Sequence, residues 1–65
     1  MAMNGFKKHR LIAGLTQEQV AENLGVNQGT VSQWETGRTM PRISLLPFIA
    51  RLYGCNIEDL IGTTN

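Results

Sequence analysis

Apolar residues recur along this chain at spacings of three and four in short runs, the period of helices with one buried face. Phe6, Leu11 and Ile12 mark a first helix over about Gly5 to Ala13, with Gly14 as its stop. Val20, Ala21 and Leu24 then share an inward face, while Glu18, Glu22 and Asn23 lie outward on the same helix. Thr16 stands just ahead of that helix and Gln19 follows three residues later, the spacing of a capping box. Val31 and Trp34, three apart, give the next helix its inward side; Asn27 caps it, and it runs to about Thr36 and stops at Gly37. Met40-Pro41 breaks the chain, because the residue before a proline resists helical geometry. Ser44 is expected to cap a fourth helix that reaches Tyr53, with Pro47 in its first turn, where a missing amide hydrogen costs little. Gly54 ends it, and Asn56 caps a last helix over about Ile57 to Ile61. No stretch reads as a strand. The expected fold is all-α, with five short helices in a single domain over residues 1–65.

The segment Gln17 to Thr36, QEQVAENLGVNQGTVSQWET, carries the most information. Ala21 is small in mid-helix, where a second helix can cross closely. Gly25 can take the left-handed backbone that a sharp exit demands. Val31 and Trp34 can then pack back over Ala21 and Val20. This is the spacing of a helix-turn-helix, a motif whose second helix enters the major groove of DNA. The longer run LTQEQVAENLGVNQGTVSQWETGRTMP, followed by IARLYGCNIEDLIG, resembles the lambdoid phage repressors and Cro proteins, also called the XRE family. The resemblance covers about residues 5 to 62. It implies a lambda-repressor-like, sequence-specific DNA-binding domain, commonly a repressor acting on a palindromic operator.

Composition narrows the alternatives. With 65 residues, 42% hydrophobic and 17% charged, the chain suits one modest core rather than a disordered tail. It has no apolar run long enough to span a bilayer and no signal-peptide pattern at its start, so a cytoplasmic location without a membrane partner is expected. Cys55 is the one cysteine and cannot form an internal disulfide. A net charge of +1 is low for a nucleic-acid binder, but its distribution is uneven. Lys7, Lys8 and Arg10 cluster early, Arg38 and Arg42 flank the end of the motif, and Arg51 follows. Such a domain binds double-stranded DNA weakly as a monomer, which favours a homodimer on two half-sites.

The candidate reading residues are Gln28, Gly29, Thr30, Ser32 and Gln33, in the first turns of the third helix. Glutamine can bond bidentately to adenine, serine to donors or acceptors, and threonine can offer its methyl group to thymine or its hydroxyl to phosphate. Gly29 either permits close backbone approach or leaves a base unread; its cost of roughly 1 kcal/mol against alanine points to a packing reason. The plainer alternative is a solvated helix face. Gln17, Asn27, Arg38, Thr39 and Arg42 are the candidates for the DNA backbone, with Gln17 at a helix N-terminus that favours phosphate. The resemblance implies that backbone role for Gln17, and a partly buried salt bridge between Arg10 and Glu35. Ile57, Leu60 and Ile61 offer more apolar surface than one side can bury, so a dimer contact is expected there, chiefly through Ile57 or Ile61.

Other residues are read more plainly. Trp34 belongs in the core rather than in base stacking, given its spacing from Val31. His9 lacks a second ligand at metal spacing, Cys55 is expected to be buried and inert, and Glu58-Asp59 suits helix capping. With no nucleophile–base pairing and no glycine-rich phosphate loop, no enzyme activity, cofactor, metal or small-molecule ligand is expected. The function expected is that of a transcriptional regulator, a repressor of the Cro kind. A restriction–modification controller or an antitoxin of the same fold stays open. So does a protein–protein module that keeps the fold, although the polar and basic Gln17, Gln28, Gln33 and Arg38 argue against it.

Overall fold

The computed structural model describes residues 5–62. Five α-helices follow one another: α1 Phe6–Ile12, α2 Gln17–Leu24, α3 Gln28–Thr36, α4 Leu46–Tyr53 and α5 Ile57–Ile61. A single 3-10 turn, Ile43–Leu45, leads into α4, and no strand occurs among the described residues. None of these helices is long and apolar enough to cross a membrane.

The helix starts follow the local chemistry. Thr16 Oγ1 accepts from the Gln19 N–H at 3.0 Å, and Gln19 Oε1 accepts from the Thr16 N–H at 2.9 Å, closing the expected capping box. At α5, the Asp59 carboxylate accepts from the Asn56 N–H at 3.0 Å. Two expected caps are corrected. Asn27 has the extended backbone of a cap, but its side chain makes no cap hydrogen bond to α3. Ser44 does not cap α4, because it lies inside the 3-10 turn. Pro47 sits in the first turn of α4, and its ring would clash with the carbonyl of Ile43 in a continued α-helix. The chain takes the tighter turn instead, with the Leu45 N–H bonded to the Arg42 carbonyl at 2.9 Å.

The core draws on all five helices: Phe6, Val20, Ala21, Val31, Trp34, Leu46, Ile49, Ala50, Tyr53 and Leu60. Phe6 meets Trp34 with ring centroids 6.2 Å apart at a tilt of 44°. In α1, Phe6 and Arg10 are four apart and both face inward. Leu11 and Ile12, read from sequence as part of that helix's apolar side, are rotated away from it and stand 57% and 68% exposed. Leu60 is also corrected: it is completely buried and cannot serve a dimer contact, while Ile57 and Ile61 are half-buried against the core.

The start of α1 docks directly on α5. The Gly5 N–H donates to the Leu60 carbonyl at 2.7 Å, and a Cβ on Gly5 would collide with the carbonyl oxygen of Asp59. Glycine is needed there for close approach.

Candidate nucleic-acid interface

α2 and α3 form the helix-turn-helix through a three-residue turn. Gly25 ends α2 with φ at 71°, and the Val26 N–H returns to the Ala21 carbonyl at 3.0 Å. Ala21 is buried together with Val20, Val31 and Trp34, as expected. Burying Val31 and Trp34 fixes the rotation of α3 and turns its other face outward. Gln28, Gly29 and Gln33 are exposed there, with Thr30 and Ser32 half-buried beside them.

A chain of hydrogen bonds runs from this outer face into the interior. Arg10 donates to the Glu35 carboxylate through Nε at 2.5 Å and through Nη2 at 3.1 Å, and its Nη1 donates to the Leu15 carbonyl at 2.9 Å. The two side chains are 9% and 4% exposed, so the ion pair joining α1 to α3 is present and buried. The hydrogen bond to Glu35 raises the pKa of Arg10, and burial works against that shift. Glu35 Oε1 also accepts from Gln17 Nε2 at 2.9 Å, and Gln17 Oε1 accepts from Gln28 Nε2 at 3.3 Å. A carboxylate only accepts, so the amide nitrogen of Gln17 must face Glu35 and its oxygen must face Gln28. Gln28 therefore donates one N–H inward and keeps its amide oxygen and a second N–H. Those two groups are the complement of an adenine edge.

Beyond α3 the chain folds back on the helix end. The Gln33 carbonyl accepts from the Arg38 N–H at 2.9 Å, the Thr39 N–H at 3.4 Å and Thr36 Oγ1 at 3.2 Å. The Thr39 hydroxyl lies 3.5 Å from Gln33 Oε1, a long contact that draws this side chain toward the loop. Arg38, Thr39 and Arg42 are exposed, whereas Pro41 between them is buried and anchors the loop. Asn27, free of a capping bond, is exposed at the opposite end of α3.

Three further placements bear on the site. Gly29 has no packing reason, contrary to expectation, since beyond its own helix turn a Cβ there would meet none of the described residues within 4 Å. Tyr53 carries no signal in the sequence pattern; its buried hydroxyl has no hydrogen-bond partner among the described residues, and burial, then the charge of Glu35, pushes its pKa up to about 12. Cys55 is half-buried rather than buried, and burial, then nearby Asp59, raises its thiol pKa, which disfavours the reactive thiolate. The family resemblance implies the Arg10 and Glu35 pair but not its extension through Gln17 to Gln28. That extension depends on how α2 and α3 cross, which no spacing within either helix encodes.

The chain is similar to known regulators over most of its length. It is 39% identical over 57 residues to an uncharacterized HTH-type transcriptional regulator of Methanocaldococcus jannaschii, covering 88% of this chain and 86% of that one. It is 38% identical over 48 residues to the HTH-type transcriptional activator BcrR of Enterococcus faecalis, covering 74% of this chain and 24% of that one. The cryptic phage CTXphi transcriptional repressor RstR of Vibrio cholerae is 32% identical over 53 residues, with 82% of this chain and 48% of that one covered. The profile of a family described as helix-turn-helix matches residues 6–60, so this chain belongs to the XRE family of helix-turn-helix proteins.

Proposed function

We propose that this DNA-binding transcriptional regulator recognises a palindromic operator as a homodimer and acts there as a repressor. The observation that carries the reading is the exposed face of α3, where Gln28 is held by Gln17 with its amide oxygen and one N–H turned outward. Gln28, Gly29, Thr30, Ser32 and Gln33 read base edges. Gln17, Asn27, Arg38, Thr39 and Arg42 contact the phosphate backbone on either side. Glu35 does not repel those phosphates, because Arg10 neutralises it.

Charge and geometry support the dimer. A net charge of +1 gives one domain few phosphate contacts, and half-sites about 34 Å apart suit two recognition helices on one face of the duplex. With Leu60 inside the core, Ile57 and Ile61 are the apolar residues of α5 left for a partner. That patch is small, so assembly is weak in free solution and strong on DNA. Relatives include both a named repressor and a named activator, and the repressor reading follows the phage repressor among them.

Selection of bound sites from random duplex DNA tests the reading. A two-fold symmetric consensus with half-sites one helical turn apart is expected, and recovery without sequence enrichment would overturn it. Sedimentation with a full operator and an isolated half-site tests the dimer. Tight one-to-one binding to the half-site, with no gain from the second, would rule it out.

A further inference from the structure

We infer that the Tyr53 hydroxyl is a reserve hydrogen-bond donor for Glu35, which takes over when Gln17 turns its amide to a DNA phosphate, and that Tyr53 is therefore a positioning residue for DNA binding. The inference rests on the phosphate contact proposed for Gln17. Tyr53 is only 4% exposed, yet its hydroxyl has no hydrogen-bond partner among the described residues. A buried donor without a partner carries a desolvation cost that phenylalanine in the same place would not. The hydroxyl therefore calls for a reason.

Its surroundings supply one. α1 packs on both α3 and α4, which brings the Arg10 and Glu35 pair up to Tyr53. Burial is the first influence on the phenol's pKa, and the charges of Glu35 and then of Arg10 follow, so the phenol faces the pair. Glu35 Oε1 already accepts two bonds, one from Arg10 and one from Gln17, while Oε2 accepts one, from Arg10. Each carboxylate oxygen has room for two. An unused donor and an unused acceptor position thus lie in the same part of the core, with no bond between them in the free protein.

Gln17 decides when they meet. It is half-buried at the first turn of α2, and its amide nitrogen is the donor to Glu35 besides Arg10 among the described residues. Turning that nitrogen outward to a phosphate leaves the buried carboxylate with Arg10 alone. Loss of a bond to a desolvated acceptor is costly, and a small movement of Glu35 toward the phenol restores it. The Tyr53 hydroxyl then keeps α3 anchored through Glu35 while Gln17 serves the DNA.

The first test needs no DNA. Urea melts compare Tyr53→Phe in the wild-type protein and in Gln17→Ala, where Glu35 has already lost the amide. Tyr53→Phe should leave the midpoint unchanged or raised in the wild-type background and lower it in Gln17→Ala, because only there is the phenol bonded to Glu35. The same shift in both backgrounds would overturn the inference. The second test uses the selected operator. The chain has a single tyrosine, so an isotope label at its Cζ gives one NMR signal that reports whether the phenol donates a hydrogen bond. In the operator complex that signal should move from its place in the free wild type to its place in free Gln17→Ala. Tyr53→Phe should bind the operator about three- to ten-fold more weakly, the contribution of one hydrogen bond, and lose no further affinity in Gln17→Ala. An unmoved signal, or equal binding by both proteins, would mean that Gln17 reaches the phosphate with its second N–H while still holding Glu35, and would overturn the exchange. So would an affinity loss that is the same in Gln17→Ala, since it would then come from a general change in packing. If the wild-type protein enriches no site at all, the DNA-reading proposal fails on its own, and the melts still decide whether Tyr53 replaces Gln17 at Glu35.

Discussion

Replacing Arg10 by methionine probes the ion pair that joins α1 to α3. The substitution keeps the approximate length of the side chain and removes three hydrogen bonds, two to Glu35 and one to the Leu15 carbonyl. Glu35, with a side chain 4% exposed, keeps only the amide of Gln17. A buried carboxylate stripped of its cation costs about 3–5 kcal/mol. A domain of 65 residues has a total stability of roughly 3–10 kcal/mol, so Arg10→Met should unfold much of the population or bring it to the edge. The loss should be largely recovered in Arg10→Met with Glu35→Leu, because no charge is then left buried. Urea melts of both single variants and the double variant complete the cycle. Losses that simply add would refute the reasoning, for they would mean that the two side chains contribute independently despite their geometry.

Other outcomes follow from the same structure. Tyr53 has its pKa raised to about 12, so the phenol stays protonated in the folded protein while an unfolded chain ionises near pH 10. The contribution of Tyr53 to stability is therefore full below pH 10 and is lost as the pH rises toward 12; denaturant melts across that window should show a decline that is smaller in Tyr53→Phe. Because the Tyr53 hydroxyl is buried without a partner among the described residues, Tyr53→Phe should also equal or exceed the wild type at neutral pH, by up to about 1 kcal/mol. Gly5→Ala should lower stability by about 1–3 kcal/mol in thermal melts, since its Cβ runs into the Asp59 carbonyl and one of the two backbones must move. Gln28→Ala should cost about 1–3 kcal/mol of operator binding and relax preference at one base position; equal losses on cognate and random DNA, in titrations of operator variants, would place it among the backbone contacts instead.

Much of this architecture was legible because its determinants are local. The Thr16 and Gln19 capping box, the glycine exit at Gly25 and the inward pair Val31 and Trp34 each act within one helix or turn, and spacing alone exposes them. The errors arose where a third dimension decides. Helix α1 is too short for three apolar residues to define a face, and its inward side is made by Phe6 and Arg10 while the apolar Leu11 and Ile12 point elsewhere. Leu60 and its neighbours Ile57 and Ile61 are equally apolar in sequence, and only the docking of α1 and α4 on α5 selects which one is buried. Ser44 has the chemistry of a cap, but the clash Pro47 imposes upstream shifted the helix start past it. Gly29 illustrates the opposite case. Its cost was visible in the sequence, but the open space around it was not.

The hydrogen-bond chain from Arg10 through Glu35 and Gln17 to Gln28 has a consequence for how such a protein can be retargeted. A library that varies Gln28 alters a residue bonded to Gln17, which is itself bonded to the buried Glu35 carboxylate, so new preferences at that position come coupled to the placement of Gln17. Gln33 and Ser32 carry no such tether to the core. Recoding should therefore proceed from the C-terminal half of the reading face, keeping Gln28 until the fold has been reinforced elsewhere.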